Sequence, residues 1–240
     1  MRNIVVTGGG TGIGYAIAEA FVAQGDRVVL TGRRRAVLDE AVRRLGGAAD
    51  AVAFDAADPA AVAEAANSLP TTVDVLVNNA GGNTDFAAPP GDDLVSVADR
   101  WRANLAANVL TAVLVTTALA DRIPEGGRVV TIGSIAAHQG AGAYGAAKAA
   151  VEAWNAGLSA RLGPRRITAN VVAPGLVTGT EFFRGRLTDQ RARSLVAATH
   201  TQRAGVPVDI AALVLFLASP QAIHVTGQVL HANGGAFLGR

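Results

Sequence analysis

Tyr144 and Lys148, in the stretch YGAAK, have the types and spacing for acid–base chemistry. Lys148 is the single lysine of the chain, whose other twenty basic residues are arginine. On a helix beginning near Gly142, residues four apart share a face. A nearby ammonium favours the phenolate of a tyrosine, whose ordinary pKa is about 10. The spacing therefore predicts a tyrosine that exchanges protons and a lysine that lowers its pKa.

The use of lysine in an arginine-rich chain indicates a geometric role as well. A compact ammonium on a flexible stem reaches hydroxyl groups in a narrow site that a planar guanidinium enters poorly. The alternative is an exposed lysine and a core tyrosine at a chance spacing.

A glycine-rich stretch, TGGGTGIG at 7–14, follows the predicted strand NIVVT and precedes the helical YAIAEAFVAQG. Glycines let a backbone approach a pyrophosphate, and free N–H groups at the start of a helix bind its charge. The stretch predicts a dinucleotide site. A tight turn with only a structural role is the alternative.

Four motifs occur in a fixed order: TGxxxGIG, then NNAG at 78–81, YxxxK at 144–148, and PG followed by Thr at 174–178. Together they resemble the short-chain dehydrogenase/reductase family over essentially the whole chain. The resemblance implies a doubly wound α/β fold, a nicotinamide cofactor and a carbonyl or secondary alcohol as substrate.

The resemblance also implies which residues bind the cofactor. Four would line the pyrophosphate and the adjoining ribose: Gly8, Gly12, Ile13 and Gly14. Five would contact the adenosine: Asp55, Ala56, Asn79, Ala80 and Gly81. Thr178 would hold the nicotinamide carboxamide, and Tyr144 and Lys148 would contact the cofactor as well. A strand-end or turn role is the alternative for Asp55.

The end of the second predicted strand, RVVLTGRRR, bears on the choice between NAD(H) and NADP(H). An acid there would bind the ribose 2′-hydroxyl of NAD, but this sequence has Gly32 followed by Arg33. A guanidinium suits a phosphate monoester, so NADP(H) is favoured over NAD(H). The alternative is that the run 33–35 is a solvated helix start, and Thr11 gives the NADP(H) assignment no support.

Two further catalytic residues are implied by the resemblance. Ser134, after RVVTI, would donate a hydrogen bond to the substrate carbonyl oxygen. Asn108, seven residues after Trp101, would anchor a water that links Lys148 to solvent, and Asn104 competes for that role. In the reduction, a hydride would pass from the nicotinamide to the carbonyl carbon and a proton from Tyr144 to its oxygen.

One departure from the family concerns the loop between Ser134 and Tyr144. Only nine residues, IAAHQGAGA, separate them, a few fewer than in most relatives. The wall of the substrate pocket is therefore expected to be shorter. His138 and Gln139 of this loop either touch substrate or face solvent.

The elements that must position these residues alternate along the chain. Apolar runs, many of them β-branched, alternate with Ala-rich helical stretches, which predicts a doubly wound parallel sheet of about seven strands in one domain over 1–240. The predicted strands are NIVVT, RVVLT, AVAF, VDVLV, RVVTI, ITANVV and QVLHA. Residues 81–93 are expected to form a loop, and 179–205 an irregular insertion.

Composition argues against several function classes. The formal net charge is only +2, which does not indicate nucleic-acid binding. The absence of cysteine excludes thiolate catalysis, and the four histidines are dispersed without ligand spacing, so no metal site is predicted. No apolar signal region precedes NIVVT and the longest apolar run, IAALVLFLA, is too short to span a bilayer, which favours a cytoplasmic protein.

Two further regions of the sequence bear on the substrate and on the oligomeric state. Residues 178–195 correspond to the family's lid, where Phe182 and Phe183 suit an apolar substrate and several arginines an acidic carrier. A 3-oxoacyl thioester is the leading substrate, with free ketones, sugars and cyclic alcohols as alternatives. Ala-rich helices over about 96–121 and around YGAAK predict a homodimer or homotetramer.

Two other function classes remain as alternatives. A nicotinamide-nucleotide sensor or scaffold would have lost one or more of Ser134, Tyr144 and Lys148, whereas all three are present. A methyltransferase would leave YGAAK unexplained.

Overall fold

The computed structural model describes residues 1–86, 91 and 93–239. Seven strands form one parallel sheet in the order β3-β2-β1-β4-β5-β6-β7. Their bounds are β1 Asn3–Thr7, β2 Arg27–Gly32, β3 Ala49–Ala53, β4 Val75–Asn78, β5 Arg128–Ile132, β6 Thr168–Pro174 and β7 Val229–Ala232. The prediction of a doubly wound sheet of about seven strands is confirmed.

The connections are mostly helical. The helices are α1 Gly12–Ala23, α2 Arg35–Leu45, α3 Pro59–Ala66, α4 Leu94–Leu105, α5 Thr111–Leu119, α6 Gly142–Leu162, α7 Asp189–Ala197 and α8 Pro207–Leu217. One apolar cluster packs α1, α2 and α8 on one face of the sheet, and a second packs α3, α5 and α6 on the other. This two-faced cover is why β4, β5 and β6 are buried along their whole length.

Two segments differ from the predicted loops. Residues 84–86 of the predicted loop 81–93 form a 3-10 turn, while 87–90 and 92 lie outside the described residues. The predicted irregular insertion 179–205 contains the nine-residue helix α7. The Thr188 side chain accepts a hydrogen bond from the Arg191 N–H and caps this helix, so a Thr cap before a mostly polar helix was the signal in the sequence.

Helices α4 and α5 are joined by a π-helical segment, Ala106–Leu110. Such a bulge shifts the register of the side chains that follow it. The whole stretch Leu94–Arg122 is long and apolar enough to cross a membrane by length and composition. Because α4 packs on α6 and α5 packs on α3, we interpret it as a partly buried helical stretch of the folded domain rather than a membrane span.

Candidate active site

Several of the predicted site residues lie at or just beyond the carboxyl ends of the strands. Strand order reverses between β1 and β4, which are hydrogen-bonded neighbours although they are separated in sequence. In open parallel sheets this reversal opens a crevice where ligands bind. The glycine-rich loop after β1, NNAG at the end of β4 and Ser134 after β5 all border it.

The glycine-rich loop packs closely against the start of α1. A methyl group on Gly14 would overlap the carbonyl oxygen of Gly8, whose own backbone has φ +63°. Helix α1 then begins with no side-chain capping bond from Thr11 and no acid in its first turn, all within described residues. Its N–H groups are therefore free to bind an anion, so the loop fits a pyrophosphate.

Asn79 holds this loop in place. Its side-chain amide donates to the carbonyl oxygens of Thr7 and Gly8, each at 3.0 Å. The Thr7 hydroxyl in turn accepts hydrogen bonds from the backbone N–H groups of Asn79 and Ala80, also at 3.0 Å. NNAG thus braces the phosphate loop across the β1–β4 pair, a role that sequence analysis did not assign to Asn79.

Gly32 ends β2, and Arg33 lies in the turn from β2 into α2. Arg35 pairs with Asp39 at 2.8 Å, and Arg34 pairs with Glu181 at 2.6 Å. Arg33 is exposed and forms no ion pair with any of the described residues. Its guanidinium can therefore bind a phosphate without displacing a carboxylate.

The adenine and carboxamide contacts assigned to Asp55, Ala56 and Thr178 stay predictions. The Asp55 carboxylate accepts a hydrogen bond from the Ala57 N–H at 3.0 Å, a turn role that matches the alternative for this residue. Ala56 is buried in the second apolar cluster. The Thr178 hydroxyl donates to the Gly205 carbonyl oxygen at 3.3 Å and is half-buried.

Tyr144 and Lys148 are both buried on α6. The Lys148 ammonium donates to the Ile132 carbonyl oxygen at 2.8 Å and lies 5.9 Å from the centroid of the Tyr144 ring. Burial lowers the pKa of Lys148 to about 8. Burial also raises the pKa of Tyr144 to about 12, an effect that the Ser134 hydroxyl opposes. Without cofactor, desolvation therefore outweighs the lowering of the tyrosine pKa that the sequence predicted.

Asn108 lies in the π-helical segment and faces the same site. Its side chain exchanges two hydrogen bonds with the backbone of Gly82, at 2.9 and 3.0 Å. A Cβ on Gly81 would lie 2.7 Å from the Asn108 Oδ1 and 3.5 Å from the Lys148 ammonium. Asn108 and Lys148 therefore converge at Gly81.

Asn104 points elsewhere. Its amide donates to the Asp85 carboxylate at 2.7 Å and its oxygen accepts from the Thr84 N–H at 3.3 Å. The geometry favours Asn108 over Asn104 for the water-anchoring role, and that role stays a prediction.

Ser134 follows β5 and begins a short 3-10 turn, Ile135–His138. The shortened loop is held against α6 at Gly145, where a Cβ would lie 2.6 Å from the Ala136 carbonyl oxygen. His138 pairs with Glu152 of α6 at 2.9 Å and stacks on Phe237, with ring centroids 4.8 Å apart. His138 therefore braces the loop, and Gln139 is exposed.

The segment 178–195, which we call the lid segment, covers both ends of the site. A Cβ on Gly12 would lie 3.3 Å from the Thr180 side chain. The Phe182 ring lies 5.6 Å from the Tyr144 ring and packs on Phe86 and Phe183 at 5.7 and 5.0 Å. An apolar wall therefore borders Tyr144. Sequence analysis did not identify Phe86 as part of this wall because it lies in the predicted loop 81–93.

No cluster of three or more His, Cys, Asp or Glu residues with metal-binding geometry occurs in the part of the chain that the structure describes. His138 and His231 lie near each other, with ring centroids 5.7 Å apart, but they pack on Phe237.

Comparison with known proteins identifies the family. A family model described as enoyl-(acyl carrier protein) reductase matches residues 8–236. The chain is 37% identical over 238 residues to a protein of Mycobacterium tuberculosis named as an oxidoreductase, with 98% of each chain covered. It is 33% identical to the 3-oxoacyl-[acyl-carrier-protein] reductase of Salmonella typhimurium, with 98% of this chain and 96% of the relative covered.

Solved structures agree with this result. A short-chain dehydrogenase/reductase from Brucella melitensis, described as a glucose/ribitol dehydrogenase, superposes with a TM-score of 0.88 at 30% identity, covering 99% of this chain and 97% of that one. A blue fluorescent protein from a metagenomic library, in complex with NADPH, gives 0.87 at 35% identity, covering 99% and 98%. The chain belongs to the short-chain dehydrogenase/reductase family and is an oxidoreductase.

Proposed function

We propose that this protein reduces a carbonyl group, or oxidises the corresponding secondary alcohol, with NADP(H). The observation that carries the proposal is the convergence of Asn108, Ser134, Tyr144 and Lys148 beside a phosphate-binding loop. The buried tyrosine stays protonated at neutral pH because its pKa is about 12, so it is an acid ready to donate a proton.

When bound, the nicotinamide supplies the hydride. The Ser134 hydroxyl donates a hydrogen bond to the substrate oxygen, and Tyr144 gives that oxygen its proton. Lys148 holds ribose hydroxyls and, through a water at Asn108, returns a proton to the tyrosine. Phe182 excludes water from the reacting side of Tyr144.

The preference for NADP(H) is supported by Gly32, which removes the acid that would repel a 2′-phosphate, and by Arg33 beside it, which forms no ion pair with the residues that the structure describes. The relative in complex with NADPH is consistent with it.

We expect the purified protein to bind NADPH at least about tenfold more tightly than NADH, equivalent to roughly 1.4 kcal/mol. Replacement of Arg33 by alanine should remove most of that preference, because the phosphate loses its charge-assisted partner. Titration of cofactor fluorescence measures both constants. Equal affinities in the wild type would contradict the NADP(H) proposal, and an unchanged preference in the variant would contradict the role of Arg33.

The substrate we favour is a 3-oxoacyl thioester on an acidic carrier. The Phe86, Phe182 and Phe183 cluster offers an apolar wall for an acyl chain. Exposed arginines of the lid segment supply positive charge at its mouth: Arg184, Arg186, Arg191 and Arg193. The reductase from Salmonella acts, by its name, on such a substrate.

A free ketone, sugar or cyclic alcohol is the second candidate. The short loop 135–143 lowers one wall of the pocket, and the Brucella relative is described as a sugar or polyol dehydrogenase. A panel of 3-oxoacyl thioesters, ketones and alcohols with each cofactor, followed by nicotinamide absorbance, tests these candidates. Turnover of thioesters alone supports the first candidate, turnover of sugars alone supports the second, and binding without turnover of any compound supports a sensor or scaffold.

We also propose a homotetramer or homodimer formed by a single-domain, cytoplasmic chain. Trp101, Leu105 and Leu110 expose 42%, 38% and 44% of their surface on the helical stretch from α4 to α5. Large apolar side chains in one row are typical of a surface that pairs subunits. Light scattering should give a multiple of the 24.3 kDa chain mass, and a mass near 24.3 kDa would contradict the proposal.

A further inference from the structure

Glu181 connects the lid segment to the turn that follows β2. Its carboxylate lies 2.6 Å from the Arg34 guanidinium, and both side chains are more than half exposed, at 62% and 59%. Arg34 precedes α2 and is the chain neighbour of Arg33. The lid segment is therefore tied by one ion pair to the chain neighbour of Arg33, the residue proposed to bind the 2′-phosphate.

The residues on either side of Glu181 contact both ends of the site. Thr180 lies against Gly12 of the phosphate loop, at 3.3 Å from a Cβ placed there. Phe182 lies against Tyr144, with ring centroids 5.6 Å apart. Glu181 therefore lies between a neighbour that contacts the glycine-rich loop and a neighbour that contacts Tyr144.

We propose that Glu181 is a specificity-determining residue that competes with the 2′-phosphate of NADP(H) for Arg34. A phosphate monoester carries close to two negative charges and outcompetes one carboxylate for a guanidinium. Binding NADP(H) therefore breaks the Arg34–Glu181 pair and frees this part of the lid segment. NAD(H) has a neutral hydroxyl at the same position and leaves the pair intact.

Because of this competition, Glu181 reduces the preference for NADP(H) over NAD(H). Breaking the Arg34–Glu181 pair lowers the net affinity for NADP(H). The Glu181 carboxylate also remains near the 2′-phosphate and repels it. Because the pair is exposed, its effect on the binding constant is about two- to fivefold. The inference rests on the proposed use of NADP(H) and adds a second residue, from a different part of the chain, to the choice of cofactor.

Glu181→Gln is the direct test. We expect NADPH and adenosine 2′,5′-bisphosphate to bind about two- to fivefold more tightly to this variant, while AMP and NADH do not gain affinity. Fluorescence titration and calorimetry measure these constants without turnover. Asp189→Asn is the matched control, because Asp189 also lies in the lid segment and its loss changes the net charge equally, yet it does not pair with Arg34.

A second variant tests whether Arg34 is the residue through which Glu181 acts. In an Arg34→Gln background, Glu181→Gln should have no further effect on the bisphosphate, because the competed guanidinium is gone. The inference is overturned if Glu181→Gln leaves the ratio of bisphosphate to AMP affinity unchanged, if Asp189→Asn changes it equally, or if the effect persists without Arg34. Failure of the NADP(H) proposal shows separately, as equal binding of NADPH and NADH by the wild type.

Discussion

Replacement of Lys148 by arginine is expected to lower kcat/KM by about a hundredfold or more, equivalent to about 2.7 kcal/mol of transition-state stabilisation, while the chain still folds. The ammonium is buried, donates to the Ile132 carbonyl oxygen at 2.8 Å, and lies near Gly81 and Asn108. A guanidinium keeps the charge but is wider and planar, so it cannot serve the same hydroxyls in that space. Steady-state kinetics measure the loss, and circular dichroism checks the fold.

The pH dependence of kcat/KM distinguishes the effect of the charge at position 148 from the effect of the shape of its side chain. Burial lowers the pKa of Lys148 to about 8 in the free protein, so its ammonium is lost as the pH rises above that value. Because kcat/KM for NADPH reports the free enzyme, this constant should fall above pH 8 for the wild type. A guanidinium stays charged there, so the residual activity of the arginine variant should not fall. A variant that keeps more than about a tenth of wild-type activity would show that charge alone suffices.

Most of the sheet was predictable because its strands are buried on both faces. NIVVT and RVVTI match β1 and β5 residue for residue, since a continuous apolar run between polar or glycine residues has few other structures open to it. AVAF and VDVLV are displaced by one or two residues from β3 and β4. The edge strand β3 is only partly buried, so its apolar pattern marks its ends poorly.

The site was predictable where the residues that form it are close in sequence. Tyr144 and Lys148 share a face of α6 because they are four residues apart, and the glycine-rich loop is one continuous stretch. Glu152, which pairs with His138, is four residues beyond Lys148 on the same face and could have been found by the same rule.

The remaining contacts depend on tertiary structure. Arg34 and Glu181 are 147 residues apart, and no local pattern relates them. The effect of burial on the pKa values of Tyr144 and Lys148 also could not be predicted from the sequence pattern. An i to i+4 spacing gives the distance between two groups, whereas their pKa values depend on the solvent that the rest of the fold removes.

The glycine-rich loop, which we propose to bind the pyrophosphate, depends on close backbone contact at Gly14. This residue is the third helical position of α1, and a methyl group there would overlap the Gly8 carbonyl oxygen and the Asn79 amide. The Asn79 amide is the group that holds the Thr7 and Gly8 carbonyl oxygens. A side chain at Gly14 would therefore displace both the loop and its brace from the positions that a pyrophosphate requires.

Gly14→Ala is accordingly expected to weaken cofactor binding by about a hundredfold, the loss of roughly two charge-assisted hydrogen bonds to the pyrophosphate. NADPH and NADH should lose affinity equally, because both share the pyrophosphate. Gly157→Ala is the matched control: Gly157 lies on α6, and, apart from its neighbours along the helix, no atom of the described residues comes within 4 Å of a Cβ placed there, so binding should not change. Fluorescence titration measures the constants, and thermal unfolding reports any cost to stability. A Gly14→Ala protein that folds and binds NADPH as tightly as the Gly157→Ala protein would show that the pyrophosphate does not lie on this loop.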